Sequence, residues 1–146
     1  MAFEFSLAAV LRYRQGLEQS ARLRLRSLHA RRVALTREVE QTHDARMHLE
    51  TSARRQLRSR LIPAVELQYL AASCDTLGRR QQQLQAALLQ LQDEITVQAR
   101  RYQEERRQRE ALESLRDLRF SEYRLQQQRR QQAALDELFL LRRKQV

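Results

Sequence analysis

The sequence predicts an all-α protein, a two-helix antiparallel coiled-coil hairpin whose second helix is the longer, and three observations carry that prediction. Among 146 residues there are only 2 Gly and 1 Pro. Reversals need the positive φ of Gly or the preset φ of Pro, so a sheet of strands joined by tight turns has almost no sequence to build it. The hydrophobic share is 42%, rich in Ala and Leu, and Arg, Gln and Glu fill most of the remaining positions; all are strong helix formers. Finally, apolar residues recur at alternating spacings of four and three on both sides of the single proline, the period of a coiled-coil seam.

The first helix is expected over about residues 5–59. Its seam reads Ala21, Leu25, Leu28, Arg32, Leu35, Val39, Thr42, Arg46, Leu49 and Ala53, a thin seam in which two long Arg side chains snorkel toward water. Pro63, within "RSRLIPAVELQ", removes a backbone donor and disfavours helix in the residue before it, so the turn falls at about residues 60–64. The second helix is expected over about residues 64–143, with Leu70, Cys74, Leu77, Gln81, Leu84, Leu88, Leu91, Ile95, Gln98 and Tyr102 on its seam and a looser continuation through Leu112, Leu115 and Tyr123. Gly16 and Gly78 are local weak points, each costing about 1 kcal/mol against Ala. The Gln-rich stretch around residues 79–92 keeps its helical Leu spacing and is assigned to helix. Together these elements make a single coiled-coil domain, residues 1–146.

Unequal lengths have a consequence. At 1.5 Å per residue the first helix is on the order of 80 Å long, and folding back at Pro63 sets its start beside roughly Leu118. The chain beyond that point, including "AALDELFLLRRKQV", has no partner within the hairpin. An apolar cluster rimmed by charge that the fold cannot cover marks an interaction site.

The formal net charge is +10, nearly all of it Arg, with Lys144 the only lysine. Arg pairs bidentately with carboxylate or phosphate, so nucleic acid is one partner class to weigh. The favoured reading is solvated helix faces with local pairs such as Arg101 with Glu105 and Arg106 with Glu110. Tyr102, Phe120 and Tyr123 are too scattered for a base-stacking platform, and no specific nucleic acid is expected. His43 and His48 in "HDARMH" are five apart and do not share a helix face, so a salt bridge between Asp44 and His48 is expected rather than a metal site. Cys74 cannot form an internal disulfide and is expected to serve packing. No phosphate-binding Gly loop and no nucleophile with an oriented base is present. The chain is therefore expected not to be an enzyme and to need no cofactor or metal. Its longest apolar runs fall far short of the roughly 18–20 residues that span a bilayer, and the N-terminal residues lack the basic start of a secretory signal.

Several segments in order resemble the FliJ family, the small soluble component of the bacterial flagellar type III export apparatus. "FEFSLAAVLRYRQGLEQSA" is similar to the family's opening, with Phe3, Phe5, Leu7, Val10, Leu11, Arg14, Glu18 and Ala21 in place. "LIPAVELQYL" resembles its hairpin tip, and "LESLRDLRFSEYR" followed by "LDEL" resembles its C-terminal pattern. The resemblance implies a hairpin similar to the central stalk of rotary ATPases. It also implies a non-enzymatic role in docking into and promoting assembly of the export ATPase hexamer, and in linking it to a membrane export gate and to export chaperones. The ring contact would use Leu135, Asp136, Glu137, Leu138, Phe139, Arg142 and Arg143. The gate contact would fall near Leu70, Ser73, Cys74 and Leu77, where this sequence lacks the aromatic Tyr-x-x-Phe pattern common in the family. The implied location is cytoplasmic, peripherally associated with the membrane export apparatus, and the isolated chain is expected to be monomeric. The alternatives are a basic helical nucleic-acid-binding protein and a purely structural coiled coil that dimerises through its seam.

Overall fold

The computed structural model describes residues 2–59 and 61–145, and among them there are two helices and no strand. α1 runs over Ala8–Ser59 and α2 over Ala64–Lys144, packed against each other as the hairpin the sequence predicts. α1 begins three residues later than the spacing suggests. The Ala8 N–H donates to the Phe5 carbonyl at 3.0 Å, closing a turn that leaves Phe3 and Phe5 in extended chain, free to lie against α2 instead of continuing the helix.

Pro63 works as a helix start. It has no N–H to leave unsatisfied, and its carbonyl accepts the first intrahelical bond of α2, from Leu67 N–H at 3.1 Å, while Glu66 sits in the first turn, where the helix dipole favours an anion. At the other end, Arg142, Arg143 and Lys144 occupy the last turn, the favourable sign for that terminus.

The chain divides into two compact units, one formed by Met1–Ala21 with Tyr102–Val146 and the other by Arg22–Arg101. In the Arg22–Arg101 unit, burial follows the seam positions read from the sequence. Leu84, Leu91 and Ile95 are buried and Gln98 with them, while Leu25, Leu28, Leu35, Val39, Thr42, Arg46, Leu49 and Ala53 are half-buried. Arg32, read as a seam residue, is exposed, because a guanidinium with no carboxylate across the seam is better hydrated. Polar ties cross between the helices: Arg80 Nη2 donates to Glu38 Oε1 at 2.5 Å, Arg46 Nη1 donates to Gln81 Oε1 at 3.4 Å, and Gln81 Nε2 lies 3.4 Å from His43 Nδ1. Gly78 faces this tie, since a Cβ there would lie 3.4 Å from Arg46 Nη1.

In the Met1–Ala21 and Tyr102–Val146 unit, Leu11 and Ala21 are buried. The extended N-terminal residues are held by an aromatic cluster: Phe3 meets Phe120 edge-on at 5.2 Å between centroids and Tyr123 at 5.5 Å. Arg119 donates to Ser6 Oγ at 2.8 Å while its guanidinium lies 5.8 Å from the Phe5 ring centroid. Aromatic pairs of this kind add roughly 0.5–1.5 kcal/mol beyond their buried area.

Candidate functional site

Beyond Tyr123 the apolar side chains of α2 are uncovered. Leu135, Leu138, Leu140 and Leu141 are each about 60% exposed and Phe139 is 77% exposed. Leu135, Leu138, Phe139 and Arg142 follow one another at helical spacing along one side, where with Leu141 and Gln145 they line a shallow depression. The next turn carries apolar groups on every side. Leu138, Phe139, Leu140 and Leu141 are consecutive, and at about 100° per residue four such side chains encircle the helix. A helix that is apolar all round is one that ends up surrounded. Asp136 is exposed and accepts a hydrogen bond from Gln132 Nε2 at 3.2 Å, and Glu137, Arg142, Arg143 and Lys144 are exposed as well. All seven residues implicated in a ring contact therefore lie on one accessible segment.

N-terminal to that segment, the same unit contains a charged layer within the helix seam, which the sequence reading missed. Arg109 is its centre. Its Nε and Nη2 both reach the Glu18 carboxylate, the latter at 3.3 Å, and its Nη1 donates to Glu113 Oε2 at 2.6 Å. The side chains of Arg109, Glu18 and Glu113 keep only 21%, 15% and 30% of their exposure. The hydrogen bond from Arg109 to Glu18 is the main reason the guanidinium holds its proton even more firmly than usual, with the charges of Glu18, Glu113 and Glu110 adding to it against the cost of burial. One helical step away, Arg14 Nη1 stands 3.8 Å from Glu105 Oε2. The expected pair of Arg101 with Glu105 is thus replaced by a contact across the seam, whereas Arg106 and Glu110 pair as predicted at 2.8 Å. The signal was present in the spacing, because the run Gln98, Tyr102, Glu105, Arg109, Leu112, Arg116 keeps the four-three alternation and meets Arg14 and Glu18 on α1, charge for opposite charge.

In the Arg22–Arg101 unit, Leu70, Ser73, Cys74 and Leu77 are half-buried. Leu70, Cys74 and Leu77 sit at the seam positions, and Cys74 is a free thiol. The apolar groups that this stretch offers outward are Val65, Leu67 and Tyr69. Asp44 and His48 are exposed and no ion pair joins them. Among the described residues no group of three His, Cys, Asp or Glu side chains is placed to hold a metal ion, and no helix is long and apolar enough to cross a membrane.

Comparison of the chain with protein-family models, with curated proteins and with solved structures returns no match.

Proposed function

We propose that the chain is a non-enzymatic docking protein of the FliJ kind, a flagellar export component whose C-terminal segment enters an ATPase ring and promotes its assembly and activity. One observation supports this most: the turn Leu138–Leu141 is apolar around its whole circumference and exposed. A flat partner covers only part of such a turn, whereas a partner that encloses it, as the mouth of a ring does, covers all of it. Leu135, Leu138 and Phe139 would supply the buried anchors, with Arg142, Arg143 and Lys144 raising the encounter rate with an acidic rim. Links to an export gate and to export chaperones, and a peripheral place at the membrane, belong to the same proposal. For the gate, the seam location of Leu70, Cys74 and Leu77 argues that any contact on this stretch uses outward neighbours such as Tyr69.

Removing the residues after Gln132 tests the reading. Among the described residues, the contacts of α2 with the N-terminal part of the chain described above reach as far as Tyr123, so the truncated chain is expected to keep its helical circular-dichroism signal per residue and its melting transition. It is expected to lose stimulation of the partner ATPase. Undiminished stimulation by the truncated chain would exclude the segment as the docking element.

A second reading has an observation of its own. Between Glu18 and Glu38 the sequence holds Arg22, Arg24, Arg26, Arg31, Arg32 and Arg37 and no acid, and all six are exposed. Such a stretch suits polyanion binding dominated by phosphate contacts, without sequence preference.

A further inference from the structure

The turn between the helices carries the most exposed large apolar side chain among the described residues. Leu61 is 99% exposed, Val65 76% and Tyr69 73%, and Leu57 adds a fourth apolar group at 55%. Among the described residues Leu61 is fully open and the other three are more than half so, although a turn facing water is normally built from Gly, Asn, Asp and Ser. Charge around the tip is one-sided. Arg54, Arg55 and Arg58 are exposed, and from residue 51 to residue 74 the only acid is Glu66.

We infer that this tip is a membrane-contacting element, which inserts Leu61 and Val65 shallowly into an anionic lipid surface. The inference does not depend on the ring-docking proposal, because it concerns a different segment and the protein alone. The order of groups behind the apex selects a bilayer over a protein partner. Leu61 is in the turn and Val65 is the second residue of α2. Tyr69 follows Val65 by about 6 Å along α2, and on α1 the cations lie about 1.5 Å (Arg58) to 7.5 Å (Arg54) back from Ser59, at 1.5 Å per residue. Leu61 and Val65 leading, with Arg58 level with Val65 and long enough to snorkel, and with Arg55, Arg54 and the Tyr69 ring trailing by about 4–6 Å, is the sequence of layers met on entering a leaflet, where apolar side chains sink about 5–10 Å and Tyr stays at headgroup level. Arg side chains of that reach bind lipid phosphates bidentately. A protein pocket complementary to a projecting apex would need no cations in that order.

The chain has no Trp, so a Tyr69→Trp variant reports on the tip alone. It is titrated with phosphatidylcholine vesicles and with vesicles in which about one-third of the lipid is phosphatidylglycerol. The expected result is a blue shift of Trp emission on the anionic vesicles only, with quenching by lipids brominated near the headgroup end of the acyl chain. In sedimentation with the same vesicles, Leu61→Asp with Val65→Asp lowers partitioning at least about tenfold, since two apolar groups become charged at the contact. Arg54→Gln with Arg55→Gln and Arg58→Gln lowers it about a hundredfold. As a control for the overall charge of +10, Arg22→Gln with Arg26→Gln and Arg37→Gln removes three cations more than a Debye length from the tip and changes partitioning less than about fivefold. The inference is overturned if Trp emission does not shift, if the Asp variant partitions like the parent, or if the two Arg triples weaken binding equally. It is also overturned if light scattering without vesicles finds a dimer that Leu61→Asp dissolves, which would assign the tip to a second copy of the chain.

Discussion

Replacing Glu18 and Arg109, singly and together, should reveal what the charged seam layer contributes. An ion pair fully exposed to water is worth about 0.2–1 kcal/mol, and breaking a fully buried one costs about 3–5 kcal/mol. The layer lies between these limits, with side-chain exposures of 21% for Arg109 and 15% for Glu18. It lies toward the exposed end, because two helices leave water along both flanks of their seam. Glu18→Gln keeps the shape and removes the charge, and Arg109 retains Glu113 at 2.6 Å, so the expected cost is about 1 kcal/mol. Arg109→Leu takes the cation from both Glu18 and Glu113 and leaves a mostly covered carboxylate unpaired, at about 2 kcal/mol. Glu18→Leu with Arg109→Leu together should recover the parent's stability or exceed it by about 1 kcal/mol, since apolar packing replaces two desolvated charges. Urea unfolding followed at 222 nm measures all three. If Arg109→Leu is neutral, or if the double Leu variant is less stable than both single changes, the layer is not the coupled, desolvated unit described above. A double Leu variant that is more stable but now populates a dimer or a slipped pairing would show that the charges specify register, the best-attested use of polar groups in a coiled-coil seam.

Two further outcomes follow from local geometry. Gly16→Ala should raise stability by roughly 0.5–1 kcal/mol in the same unfolding measurement, because nothing lies within 4 Å of the added methyl group; Gly78→Ala should gain less, as its Cβ comes within 3.4 Å of Arg46 Nη1 and presses on the tie to Gln81. Phe3→Ala should cost about 1–2 kcal/mol through loss of the contacts with Phe120 and Tyr123, and amide hydrogen exchange should accelerate in α1's first turns ahead of those near Leu35.

Legibility from the sequence tracked how apolar each seam position is. From Leu25 to Ala53, and from Leu70 to Gln98, Leu and Ile mark the period so strongly that interruptions by Thr42, Arg46 or Gln81 do not hide it, and the structure half-buries all three. The run from Glu105 to Arg116 reads as a loosening because a charged residue at a seam position carries no hydrophobic signal. Only the partner strand of charge on α1, Arg14 and Glu18, reveals that it is seam. The start of α1 lies three residues beyond the expected residue 5, since Phe5 fits the first turn of an apolar helix face as well as it fits a clamp over α2, and local spacing cannot distinguish the two. The exposed C-terminal segment was legible from simple subtraction of helix lengths. The tip was not: the sequence places a turn at about residues 60–64, but nothing in the spacing says that Leu61, Val65 and Tyr69 stay exposed there.

A chain with one reversal has an ordered clock of contacts. The ties in the Arg22–Arg101 unit join residues 35 to 42 apart in sequence, and those in the other unit join residues 91 to 120 apart. Closing the longest loop first would cost only about 1 kcal/mol more than closing the shortest, but each contact made near Pro63 brings the next pair together almost without further loss of chain freedom. The helices are therefore expected to zip from the turn outward, fast for their length because every step is local once the previous one is made. Unzipping runs in the reverse order, so the clamp of Phe3 on Phe120 and Tyr123 is the last contact to set and the first to release. Opening it lengthens the unpartnered part of α2 from its inner end, which would make the reach of the proposed docking segment adjustable without unfolding the tip.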